Sequence, residues 1–171
     1  RIQVATKYGA FYGLTLVSLM LLLYMLGAGQ KSFLLVLMKY VLMVFFIVRG
    51  TKSHRQQDLG GGISFGQAFS LGVLIAVAGG FILGLYTAML YNIMDPEMLG
   101  QVLDQMHEEF SRTARSEVEI ETGIKIIAYM FSPLGLVLMC IIEGLILEGM
   151  FSLFTGALMK ADANPLQNNQ Q

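Results

Sequence analysis

Three ionisable residues interrupt otherwise apolar runs of this sequence: Lys39, Glu143 and Glu148. A charge in hydrocarbon costs at least about 2.5 kcal/mol even on the lenient insertion scale, so such residues pair with one another or mark a polar path. Two chemistries are open to them. One is structural, an ion pair and a hydrogen bond that hold helices together. The other is a proton or cation relay. Lys39 lies seven residues after Ser32, and Glu143 lies eight after Gly135. If both segments descend in the same direction, each charge sits about 10–12 Å below the same end, and the two are expected to pair. Glu148 is about one and a half turns deeper and roughly 140° around the helix from Glu143. It is expected to face a bundle interior as a buried carboxyl bonded to a neighbouring helix. The two acids are thus read as serving separate roles.

Other chemistry is poorly provided for. Cys140 is the one cysteine, and His54 and His107 are isolated, so neither a disulfide nor a metal site is expected. No Ser/His/Asp or Cys/His constellation and no cofactor motif appears, and an enzyme is not expected. Arg49, Lys52 and Arg55 precede Gly60-Gly61-Gly62, but the order is not that of a phosphate-binding P-loop. The cluster reads as a topology signal and as a candidate contact for anionic lipid head groups. A net charge of −1 argues against nucleic acid.

The elements that must position these residues are membrane helices. The chain is 55% hydrophobic and 13% charged, about half the charge of a soluble domain. Its central stretch follows the three glycines. From Ser64 a small residue recurs at every fourth position: Ala68, Gly72, Ala76, Gly80, Gly84, Ala88. No charge occurs from Ile63 to Met94, more than the about 20 residues a crossing needs. Small residues on one ridge let helix backbones approach in lipid, and Gly80 with Gly84 is the GxxxG form. The ridge drifts about 40° per step, so two neighbours are expected to share it.

Four spans are expected in an all-α single membrane domain: 8–26, 33–48, 64–92 and 134–158. The first carries Ala5, Gly9 and Gly13 at the same spacing, with Tyr8 and Tyr12 at one interface and Tyr24 at the other. Its length and the spans that follow favour a retained anchor over a cleaved signal peptide. The second lacks small residues after Ser32 and is expected to be peripheral, followed by a polar loop from Arg49 to Gly62. The fourth carries the row Cys140, Gly144, Glu148, Ser152, Gly156, and Pro133 breaks the apolar stretch before it. Asp95 and Pro96 open an amphipathic helix over 96–115. Its apolar stripe is Met98, Leu99, Val102, Leu103, Met106 and Phe110, suited to a membrane surface or the end of a bundle. Residues 116–122 read as either an extended linker or more helix. The Asn- and Gln-rich tail 161–171 reads as disordered. Lys and Arg counts place both termini inside, six against four.

The chain resembles the bacterial family known as domain of unknown function 4199. The likeness rests on Lys7-Tyr8-Gly9, Tyr12-Gly13, the string Gly62 to Phe69, the Gly-rich third span, and Tyr91-Asn92 with Asp95-Pro96-Glu97. It implies four spans and an inner-membrane address, with no established activity or catalytic residue. Glu143 and Glu148 depart from a last span that is usually uncharged in the family. The resulting expectation is a non-enzymatic accessory or scaffold subunit whose partner is another membrane protein or a second copy. The alternative is a small oligomeric carrier or channel for protons, ions or a lipid-linked substrate, with Glu148 in the path.

Overall fold

The computed structural model describes residues 1–27, 33–113 and 116–159. Six α-helices follow in order: α1 Ile2–Met25, α2 Phe33–Gln57, α3 Phe65–Met89, α4 Pro96–Thr113, α5 Glu117–Met130 and α6 Pro133–Met159. A π-helical segment, Leu90–Met94, extends α3. The described elements are all helical. Among the described residues three helices are long and apolar enough to cross a membrane: Ile2–Met25, Phe65–Met94 and Pro133–Leu158. The tail 161–171 and residues 114–115 of the expected amphipathic helix lie outside the described residues.

The helix ends are set by local chemistry rather than by where the apolar runs stop. The second helix does not end at Val48, as its apolar run does, but continues to Gln57. Arg, Lys and Gln are good helix formers, and His54 Nδ1 bonds Asp58 Oδ2 one turn on at 2.6 Å. The helix ends where glycine allows a left-handed turn. Gly60 and Gly61 have φ of 60° and 101°, and Gly61 N–H donates to Arg55 C=O at 2.9 Å, closing the last turn. These glycines therefore serve a turn. Ser64 then caps α3, its hydroxyl accepting from Gln67 N–H while the Gln67 side chain accepts from Ser64 N–H. Asp95 Oδ1 caps α4 by accepting from Met98 N–H at 3.0 Å, with Pro96 at the first helical position. Residues 117–130 resolve the open alternative: Ser116 caps a separate helix, α5. Pro133 starts α6 after a short turn, and Ser132 Oγ accepts from Gly135 N–H.

The third helix is central and packs against α1, α2 and α6. Its small row meets the small row of α6 in antiparallel order. A methyl added at Gly84 would lie 2.7 Å from Val137 Cα, and one at Gly80 would lie 2.9 Å from Cys140 C=O. Ala76 faces Gly144, Gly72 faces Ser152, and Gly156 lies against Phe65 and the backbone of Phe69. The last helix follows the row from Gly72 to Gly84, and at Gly72 it shares the row with α2, whose Ile47 Cγ2 would lie 3.4 Å from an added methyl. The drift does not keep α6 from the row, because a partner inclined along an i±4 ridge stays on it. The first helix uses a different glycine. Gly9 and Gly13 pack on Ala78, Gly79 and Ile82, with α1 running parallel to α3. Tyr8 on Gly50 and Tyr12 against Phe46 set α2 antiparallel to α1.

Candidate functional site

Lys39, Glu143 and Glu148 lie where α1, α2 and α6 meet. The Lys39 ammonium on α2 forms an ion pair with Glu143 Oε1 on α6. Both lie toward the bundle edge, Lys39 the more covered of the two. One and a half turns further along α6, Glu148 is 3% exposed. Its Oε1 accepts a hydrogen bond from Tyr12 OH of α1 at 2.8 Å. The two acids thus have different partners on different helices. They nevertheless border one cleft of about 10 Å³, lined also by Lys39, Tyr40, Met43, Gly144 and Leu147. The ideal-helix angle between the acids did not suggest this. Long side chains can lean toward the same point from positions that diverge at Cα.

Tyr12 is the residue that sequence reasoning placed wrongly. It was expected at an interface, but it is among the most deeply buried side chains of the bundle. Its ring stacks over Gly79 and lies 6.0 Å from Phe46. A signal was present. Ala5, Gly9 and Gly13 mark the packed face of α1, and Tyr12 falls on that face one residue before Gly13.

Ser152 continues the α6 row one turn past Glu148 and is fully buried. A side chain at Gly72 would collide with it, so the glycine makes room for the serine. Thr51, one turn beyond Ile47 on α2, is buried and donates to the Ile47 carbonyl. Arg49, Lys52 and Arg55 stand on the last turns of α2. The Arg49 guanidinium lies 5.6 Å from the centre of the Phe45 ring.

A second feature lies at the end of the bundle where α3 stops and α6 starts. Here α4 and α5 form a hairpin with an open apolar groove of about 640 Å³. Met106 and Phe110 of α4 and Val118, Ile126, Ile127 and Met130 of α5 line it. Phe110 rests on Gly123, and Tyr24 OH reaches Asp95 at 3.3 Å, tying the end of α1 to the start of α4.

The family model described as "Protein of unknown function (DUF4199)" matches residues 7–161. The chain belongs to the DUF4199 family. That match spans all the helices above except the first turn of α1. No curated protein and no solved structure matches the chain. The chemistry open to this DUF4199 protein therefore has to be read from its own groups. Removing the Tyr12 hydroxyl tests the buried pair. Tyr12→Phe leaves the Glu148 carboxyl buried without its donor and is expected to destabilise the bundle by about 1–3 kcal/mol. Adding Glu148→Leu should recover part of that loss, because the orphaned carboxyl leaves with its partner. Unfolding in mixed micelles followed by circular dichroism measures both, and a strictly additive loss would contradict the pairing.

Proposed function

We propose that this protein is a four-span, non-enzymatic accessory or scaffold subunit of a membrane assembly in the bacterial inner membrane, with both termini cytoplasmic. In this reading α2 supplies the remaining span. It runs antiparallel to α1, packs against α3 and α6 as well, and its apolar run 33–48 holds one charge, which is paired. The cationic residues Arg49, Lys52 and Arg55 then lie on the inner side and can meet anionic head groups.

The observation that carries the accessory reading is the open apolar groove of the α4–α5 hairpin. The α4 stripe is only partly covered: Met98, Leu99, Val102, Leu103 and Met106 are half-buried and Phe110 is exposed. An apolar groove of this size held outside the spans supports a role in docking, as exposed apolar patches do in general. By contrast, the cleft beside Glu148 holds about one water, too little for a solute path. The absence of an enzyme rests on the sequence, which offers no nucleophile with its base.

The test is the mass of the intact assembly after gentle extraction into nanodiscs. The wild-type protein should travel in a larger complex, and Phe110→Asp with Ile126→Asp should release it as a folded monomer. A wild-type protein that runs alone, or as a small homo-oligomer, would move the carrier reading ahead.

A further inference from the structure

Four buried polar side-chain atoms among the described residues have no hydrogen-bond partner: Arg55 Nε, Tyr86 OH, Glu148 Oε2 and Ser152 Oγ. Two of them stand on successive turns of one face of α6. Glu148 is 3% exposed and Ser152 is 0% exposed. An unsatisfied buried polar group costs about 1–3 kcal/mol, and native structures leave few of them. Two neighbouring oxygens of this kind therefore point to a ligand.

Ser152 adds an independent observation. Other hydroxyls on these helices satisfy themselves by donating to the carbonyl four residues back, as Thr51, Thr87 and Thr155 do. Ser152 makes no such bond. Its Oγ is aimed across the interface at Gly72, away from its own backbone.

The size and chemistry of the site decide what the ligand is. Divalent cations take six or more oxygens, Mg²⁺ in a near-octahedral set. Here two orphan oxygens stand among Met43, Ile47, Gly72 and Leu147. The adjoining cleft of about 10 Å³ admits about one water. A proton is the ligand that needs no more than this. The groups facing the carboxyl are Tyr12 from α1, Lys39 and Tyr40 from α2, and Glu143 from α6 itself. On the third helix Gly72 faces Ser152 and Ala76 faces Gly144, and neither carries a titratable group.

We propose that Glu148 is an intramembrane proton-binding site, reached past the Lys39–Glu143 pair through the cleft between α2 and α6, with Ser152 as the acceptor for the bound proton. A hydronium in the cleft transfers its proton to Oε2 and is left as water. The carboxylate becomes a neutral acid. Its new O–H donates to Ser152 Oγ, by side-chain rotation or through one water. Tyr12 keeps its own proton and continues to donate to Oε1. The site does not depend on the accessory reading and would serve a carrier equally.

The test uses the full chain in lipid nanodiscs and infrared difference spectra between alkaline and acidic buffer. Acidification to no lower than about pH 6, where exposed carboxyls stay ionised, should bring up the carbonyl band of a neutral carboxyl, and Glu148→Gln should abolish it. Ser152→Ala should keep the band but move it to higher wavenumber, since the carbonyl's acid has lost an acceptor. Gly144 lines the cleft, and in Gly144→Ala the added methyl lies 3.9 Å from Glu148 Cδ and at ordinary contact with Ala76 C=O. It should slow the deuterium shift of the band at least tenfold. A wild-type spectrum without the band overturns the proposal, as does a band that survives in Glu148→Gln. A Ser152→Ala band at the wild-type position, or unchanged exchange in Gly144→Ala, overturns the acceptor or the route and the proposal with it. Should Glu148→Gln fail to fold, Glu148→Asp keeps a carboxyl and has to move the same band; an unmoved band is again contrary.

Discussion

Gly84→Ala is expected to lower the stability of the bundle by about 1–3 kcal/mol, although alanine is the better helix former by roughly 1 kcal/mol. The sign follows from what the new methyl meets. At Gly84 it would lie 2.7 Å from Val137 Cα and 3.1 Å from Val137 C=O. Both are backbone atoms of α6, so no side chain can swing aside and the two helices have to separate. In lipid the association of helices rests on close van der Waals packing rather than on exclusion of water. A separation is therefore felt along the whole row, at Gly80, Ala76 and Gly72 as well. Gly149→Ala on α6 is the control. Nothing lies within 4 Å of its added methyl, and it should be neutral or mildly stabilising. Unfolding of the two variants side by side in mixed micelles measures the difference. Equal stability would mean that α3 and α6 do not pack through this row.

Much of this arrangement is legible in the sequence because it is periodic. The four-residue rows of α1, α3 and α6 announce which faces are packed, and the depth arithmetic on Lys39 and Glu143 brings together two residues that the structure also joins. Rotational detail is less legible. A spacing of four states that a ridge exists but not which neighbour takes it. Gly79, outside the α3 row, turned out to be the residue that Tyr12 covers. For the same reason the partner of Glu148 was not foreseen. It depends on how α1 is turned about its axis, which Ala5, Gly9 and Gly13 fix only once their packing against α3 is known. The length of α2 was missed for another reason. Apolar runs mark the reach of hydrocarbon, whereas helices end at caps. Gly60-Gly61 set the end of α2, not Val48. The described structure gives three helices suited to crossing, and the apolar run of α2 holds a charge of its own, Lys39.

That charge carries the second large prediction. Lys39→Glu places two carboxylates against each other near the edge of the bundle, and Glu143→Lys places two ammonium groups there. Each single variant turns an attraction into a repulsion and leaves a charge unmatched within an apolar run. On insertion scales an unmatched charge costs about 2.5–3.5 kcal/mol at the helix centre, and less toward the ends. Either single variant is therefore expected to lose most of its folded yield. The double variant, Lys39→Glu with Glu143→Lys, restores the pair with its ends exchanged and should recover much of the loss. Recovery is expected to be incomplete, because lysine is longer than glutamate and the ion pair was built for a lysine on α2. Membrane-inserted yield and the unfolding midpoint of the four proteins close a double-mutant cycle. A double variant no better than the product of the single losses would mean that the two residues do not meet in the membrane. The topology would then have to change too. The pair requires α2 and α6 to run side by side in the same direction, and among the described residues it is the one ionic contact that holds α2 to the last helix.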